Sequence, residues 1–205
     1  MRYQQYVNIS SLNQIGFIMK KHILKTLLLV VALVSAVPGY VQAKQVTPTN
    51  QTEKTLNITP EKFRDNFNTR AKEIGAPQIK NIKYQDNGKA FTILLDSDFM
   101  IIGQVKNKNI THIASMLIIS PKNKGKLAAQ ADALGGIALT VIRALDSNKV
   151  NEDRDDVVQN VYDDLLNDPE TRKGENRKTG AYGNYYIAST FLPELSSITV
   201  LFEPR

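Results

Sequence analysis

Residues 19–43 constrain the fold most, because they decide which part of the chain remains to fold. They read MKKHILKTLLLVVALVSAVPGYVQA, with three lysines near the start, an apolar run over residues 26–37 and small residues at positions 41 and 43. This order is typical of a secretory signal peptide. The apolar run is shorter than the about 20 residues that a membrane-spanning helix needs. The segment therefore predicts a cleaved leader, with no stable membrane anchor after cleavage.

The leader divides the chain into three predicted parts. Residues 1–43 form an N-terminal extension and a cleavable signal peptide, for which Met19 is the more natural start. Residues 44–57 form a flexible polar linker, and residues 58–205 form a single domain. The 162 residues left after cleavage at residue 43 suit one domain, since chains of about 150 residues bury about two-thirds of their unfolded surface.

Removal of the leader also changes the charge. Residues 1–43 hold four of the 26 basic residues and none of the 20 acidic ones, so the net charge falls from +6 to +2. A nucleic-acid partner is therefore not expected. The chain has no cysteine, which excludes disulfides, thiol chemistry and a lipid anchor on cysteine. We expect a soluble bacterial protein that is periplasmic or secreted.

Apolar spacing predicts a first helix after Thr59, which is a plausible N-cap before Pro60. Its apolar stripe has helical spacing and comprises Phe63, Phe67, Ala71 and Ile74. Asn87-Gly88 then predicts a hairpin turn. With these two residues in the turn, Tyr84 faces Phe91, and Lys83 faces Thr92 on the other side.

The remaining segments complete an α+β domain. Residues 99–106 and 110–120 read as strands, and the second is apolar enough to lie at the centre of a sheet. Two helices follow over residues 125–145 and 152–167, then a charged mobile loop over 168–180 and two strands over 182–190 and 196–202. The predicted order is α-ββββ-αα-ββ. It gives an antiparallel sheet of about six strands with helices on one face.

Two groups of residues are candidates for binding. Tyr182, Tyr185 and Tyr186 are interface candidates, because tyrosine is enriched in protein interfaces, although tyrosines are also ordinary strand residues. The second group is a set of anion-binding candidates at the start of a helix: Lys122, Lys124 and Lys126.

Catalytic and metal-binding patterns are weaker. His112 is the only histidine after the leader and is interpreted as a structural residue on the same strand face as Ile110 and Ala114. The loop that begins at Asp146 lacks the ligand spacing of a calcium loop, so the acids of the following helix are interpreted as a solvated face. No nucleophile elbow or zinc-binding helix pattern is present after the leader. We expect no cofactor and no metal, and an enzymatic role is not favoured.

Three functions remain open from the sequence. The first is a non-enzymatic module that binds another envelope or extracellular protein, such as an inhibitor, an immunity factor or an assembly factor. The second is a protein that binds a small ligand or an anionic lipid. The third is a hydrolase that uses two carboxylates.

Export makes a direct prediction about the purified protein. Because signal peptidase cuts after a small residue, we expect N-terminal sequencing of the protein from bacterial cells to begin at Lys44. Deletion of residues 26–37 should leave the uncleaved chain in the cytosol. A cytosolic wild-type protein that retains residues 19–43 would contradict the prediction.

Overall fold

The computed structural model describes residues 54–120, 126–146, 152–172 and 176–205. The predicted leader and most of the predicted linker lie outside these ranges. The described residues form three α-helices: α1 (Pro60–Glu73), α2 (Leu127–Leu145) and α3 (Glu152–Asn167). They also form seven strands: β1 (Lys83–Gln85), β2 (Ala90–Leu94), β3 (Phe99–Lys106), β4 (Asn109–Ile118), β5 (Asn176–Tyr182), β6 (Tyr185–Leu192) and β7 (Ser197–Pro204).

The strands make one antiparallel sheet in the order β1-β2-β3-β4-β7-β6-β5. The predicted α+β class is confirmed, and β4 is central as its apolar sequence indicates. Pairing of β4 with β7 joins the first four strands to the last three.

The sheet has seven described strands, one more than the sequence predicted. The extra strand is β5, which occupies part of the segment predicted to be a charged loop. Its side chains alternate between exposed and half-buried positions, and it lies at the edge of the sheet. Charged residues are common on edge strands because they discourage pairing with other chains. The charged sequence of β5 was therefore interpreted as a loop, although it is also typical of an edge strand. A turn at Gly183 and Asn184 separates β5 from β6.

The predicted start of α1 is confirmed. The Thr59 hydroxyl accepts a hydrogen bond from the Lys62 N–H at 3.2 Å, and Phe63 and Phe67 are fully buried. Ile74, which the apolar spacing placed on the buried stripe, is 55% exposed because the helix ends at Glu73.

The hairpin register is also confirmed. Tyr84 pairs with Phe91 and Lys83 with Thr92, and Asn87 and Gly88 adopt positive φ angles of 52° and 85°. Tyr84 nevertheless remains 47% exposed, because β1 is the other edge strand. Its hydroxyl donates to the Glu61 carboxylate. Desolvation and this hydrogen bond raise the pKa of Tyr84 to about 12.

All three helices pack on one face of the sheet, which we call the helix face. Their apolar side chains form one core with those strand residues that point to this face. The strand residues of this core include Phe91, Ile93, Ile101, Ile113, Leu117, Ile187, Val200 and Phe202. In the part of the chain that the structure describes, no helix packs on the opposite face, which we call the helix-free face.

A β-bulge changes the sides of the first residues of β4. Gln104 pairs with His112 but Val105 pairs with Ile110, so Thr111 is an extra residue on β4. Ile110 consequently joins the core on the helix face, while His112 points to the other side. The prediction that both residues share one face is wrong for this reason.

Helix α2 is the core helix of the domain. Among the described residues it alone is long and apolar enough to cross a membrane, with a mean hydropathy of 1.2, but 56% of that window is buried inside the domain. A Cβ on its Gly135 would lie 3.3 Å from the ring of Tyr162 on α3. This glycine therefore allows close approach of α3 to α2.

An arginine of α3 is almost completely buried. The sequence did not predict this burial, because the acidic residues around the arginine indicated a solvated face. The Arg154 side chain is 1% exposed and contacts Asp155 at 3.0 Å and Asp146 at 3.5 Å. Asp155 also accepts from Arg143 at 2.7 Å. Some of the acidic residues in this region are therefore not simply solvated, because they balance the charge of the buried Arg154. Burial of an unpaired cation would be energetically costly.

Two glycines provide a matched test of the packing. A Cβ on Gly103 would lie 2.4 Å from the buried ring of Phe91, whereas one on Gly136 would meet nothing within 4 Å. We expect Gly103→Ala to lower the free energy of unfolding by about 1–3 kcal/mol through overpacking. Gly136→Ala should raise it by about 0.5–1 kcal/mol, because alanine favours a helix interior. Urea unfolding measures both, and equal effects of the two substitutions would contradict the packing described.

The link between α3 and β5 predicts a dependence on pH. The Lys178 ammonium and the Glu170 N–H donate to Asp168 and lower the pKa of its carboxyl group from 3.8 to about 2. A carboxyl whose pKa is lower in the folded state stabilises the fold above its unfolded pKa. That contribution is lost as pH falls from about 4 to about 2. A ¹³C titration should give a carboxyl pKa near 2, and Lys178→Met should move it upward. An unchanged pKa in Lys178→Met would contradict the assignment.

Candidate functional site

The helix-free face carries parallel rows of side chains that run across the strands. The first row is polar and contains Gln104, His112, Glu203 and Tyr186, which the strand register places side by side. The next row contains Ile102, Ala114, Leu201 and Ala188, and the one after it contains Met100, Met116, Thr199 and Thr190. The face therefore changes from polar to apolar along the strands.

The centre of the helix-free face is apolar and closely packed. Met100, Ala114 and Met116 are at most 4% exposed, although they lie outside the core that contains the helices. Around them, Leu94 and Tyr186 are about half exposed. Large side chains that a partner can reach thus lie at the margins of this face.

His112 and Glu203 form the one pair of ionisable groups near the middle of the polar row. Their Nε2 and Oε1 atoms are 3.8 Å apart, and the two side chains are 22% and 19% exposed. The buried Oε1 atom accepts no hydrogen bond from the described residues. A buried acceptor without a donor is unfavourable. The His112 Nδ1 atom is 3.1 Å from the Thr111 hydroxyl.

The three candidate tyrosines do not form one surface. Tyr182 and Tyr185 pair across the β5–β6 turn on the helix face, where Tyr185 is part-buried against the core. Burial raises the pKa of Tyr185, and the nearby Asp146 carboxylate adds to this effect. Tyr186 points to the helix-free face, and the Arg205 Cζ atom lies 5.9 Å from the centre of its ring. This distance is within the range of a cation–π contact.

The candidate lysines are only partly described. Lys122 and Lys124 lie outside the described residues. Lys126 is exposed immediately before α2, and its side chain does not cap the helix.

A cleft of about 620 Å³ lies at one end of the sheet. Residues 54–57 form one wall, and the β3–β4 turn, the β5–β6 turn and the end of β7 form the others. The first wall is held against β4, because the Leu56 N–H donates to the Ile110 carbonyl at 2.7 Å. The last four residues of the predicted linker are therefore part of the packed domain.

The side chains around the cleft are mainly polar. They comprise Lys54, Asn57, Asn107, Asn109, Asn184 and Arg205, with Tyr185 and Pro204 as the flatter apolar part. Sequence analysis did not identify this cleft, because its asparagines come from segments far apart in the chain. Two of them, Asn57 and Asn107, have positive φ angles, so each has the ordinary sequence signature of a turn.

Metal binding finds no support in the described ranges. Among these residues, no group of three or more histidine, aspartate or glutamate side chains is arranged to hold a metal ion.

No protein-family model, curated protein or solved structure gives a significant match to this chain.

Proposed function

We propose that this chain is an exported protein that binds another envelope or extracellular protein through the helix-free face of its sheet. In this role it acts as an inhibitor, an immunity factor or an assembly factor, without chemistry of its own. The observation that carries the proposal is the distribution of polarity on that face: an apolar centre with charged and aromatic residues around it.

This distribution matches the general anatomy of protein interfaces. Interface centres are depleted in charge, and methionine, tyrosine and arginine are enriched relative to the rest of a protein surface. Met100 and Met116 lie in the centre, whereas Tyr186 with the adjacent Arg205 lies at the margin. The exposed cation Arg177 is also at the margin, on the edge strand β5.

The dimensions of the face indicate what else a partner must contact. The five strands β2-β3-β4-β7-β6, given in sheet order, span about 19 Å at about 4.8 Å between neighbours. The three rows of side chains span about 13 Å along the strands. This area is smaller than the about 800 Å² that each partner contributes to a typical stable interface. Marginal residues such as Leu94 and Tyr186 must therefore contribute to binding.

Glu203 belongs to the polar row of the same surface. Its Oε1 atom lacks a donor among the described residues, and it lies between His112 and the exposed Tyr186. The His112 and Glu203 side chains are 22% and 19% exposed, and their accessible atoms can form polar contacts with a partner. The polar row then contributes to specificity, while the exposed Leu94 and Tyr186 and the part-exposed Ile102 and Leu201 contribute buried area.

Site-specific photo-cross-linking in the native host tests the proposal. A photoreactive amino acid at position 94 or 186 should give the same cross-linked partner, because both positions are at the margin of the helix-free face. Ile74 is the matched control, since it is 55% exposed at the end of α1, away from that face. The same cross-link from position 74, or none from positions 94 and 186, would contradict the proposal.

Affinity measurements then separate binding from folding. With the identified partner, we expect Leu94→Asp and Tyr186→Ala each to weaken binding by at least about tenfold, because exposed apolar and tyrosine side chains are replaced at the contact. Ile74→Asp should leave the affinity unchanged. The thermal midpoints of all three variants should remain close to that of the wild type.

A further inference from the structure

We propose that the cleft at the end of the sheet, next to the margin of the protein-binding face, is a binding site for an acidic sugar. Its volume of about 620 Å³ lies within the range of small-molecule sites, and it is large enough for a monosaccharide or a disaccharide. The inference depends on three features of the lining: its cations, its carboxamides and one aromatic ring.

The first feature is a pair of cationic side chains. Lys54 and Arg205 line the cleft, and none of the lining side chains is acidic. The Lys54 ammonium donates to the Arg205 backbone oxygen at 2.9 Å, which leaves two of its three N–H groups for a ligand. The Arg205 guanidinium stacks near Tyr186 and makes no ion pair with a described residue. Two cations with available donors favour a ligand that carries a carboxylate or phosphate group.

The second feature is a set of carboxamides without partners. The side chains of Asn107, Asn109 and Asn184 line the cleft and make no hydrogen bond to any residue that the structure describes. Each carboxamide offers donors and an acceptor together, which is what a sugar hydroxyl requires, because a hydroxyl also donates and accepts. A simple inorganic anion would use only the donors.

The third feature is a flat apolar surface. Tyr185 and Pro204 are opposite each other on β6 and β7, and both line the cleft. Aromatic side chains provide large apolar area with a polar tip, and this area can cover the less polar face of a sugar ring. The lining thus offers a counterpart for each part of an acidic sugar. The flat apolar surface matches the ring, the carboxamides match the hydroxyl groups, and the cations match the acidic group.

The walls of the cleft are held together by the backbone. The Arg205 N–H donates to the Asn184 carbonyl at 2.7 Å, and the Ile110 N–H donates to the Ile58 carbonyl at 2.8 Å. The first bond joins β7 to the β5–β6 turn, and the second joins β4 to the segment that follows residues 54–57. A preformed site requires little ordering on binding, which favours affinity for a small ligand.

NMR titration of the ¹⁵N-labelled protein with four probes tests the inference: glucuronate, glucose, acetate and inorganic phosphate. We expect glucuronate to give saturable shifts of the Asn109, Asn184 and Arg205 amides. Glucose should bind at least about tenfold more weakly because it lacks the charge, and acetate and phosphate should bind at least about tenfold more weakly because they lack the ring. Absence of a saturable shift with glucuronate would overturn the proposal. Equal binding of acetate or phosphate would overturn the assignment to a sugar.

Two substitutions and one control locate the site. Arg205→Gln removes a cation from the cleft and Asn184→Ala removes a carboxamide, and each should weaken glucuronate binding by at least about fivefold. Arg177→Gln removes an exposed cation from β5 outside the cleft and should have no effect. Equal weakening by Arg177→Gln would indicate non-specific attraction of an anion and overturn the site.

A variant on the protein-binding face separates this proposal from that of the protein partner. Leu94 is on β2 and is not part of the cleft lining. Leu94→Asp should therefore leave glucuronate binding unchanged, even though it is expected to weaken binding of the partner. Failure of either proposal can consequently be recognised without the other.

Discussion

Pairing of β4 with β7 is the constraint on which the rest of the domain depends. It joins the strands that precede the helices to those that follow them, and six residue pairs hold the register from Ile113 opposite Phe202 to Ile118 opposite Ser197. Alternation along these two strands sends Ile113, Leu117 and Phe202 to the helix face. Because one slip in register would reverse every side chain, this pairing determines which surface is covered by helices and which is left for binding.

One-sided packing of the helices has two consequences for function. The helix-free face lies outside the main core, and its exposed marginal residues, such as Leu94 and Tyr186, are left to contact a partner. The second consequence is at the edges, where α1 and α3 must be held by polar contacts as well as by apolar ones. Arg154 is the clearest case, since it is buried with Asp155 at the start of α3. Removal of either partner of such a pair is strongly destabilising, because it leaves an uncompensated buried charge.

Local signals allowed much of the fold to be predicted. Asn87-Gly88 gave the correct register of β1 with β2, Thr59 and Pro60 placed the start of α1, and the apolar run in β4 indicated its central position. Features that depend on distant neighbours were not predictable. Three such features are the bulge at Thr111, the edge strand β5 and the cleft, and each results from the way in which separate segments meet. A charged or turn-like sequence does not indicate which distant segment it will contact. Tyr186 was identified as a candidate together with Tyr182 and Tyr185, but it lies on the opposite face of the sheet. This separation was not predicted, because the turn between β5 and β6 lies within a segment that was predicted to be one strand.

Accessibility of the helix-free face in the mature protein is the most direct test of this account. Methyl NMR of residues 44–205 in the presence of a soluble paramagnetic agent measures it for individual side chains. Leu94, Ile102 and Leu201 point to the helix-free face, and we predict that their methyl signals broaden. The methyl signals of Ile101 and Leu117, which point to the helices, should remain sharp. Equal protection of both groups would contradict the account, because a covered face would not be free to bind a partner.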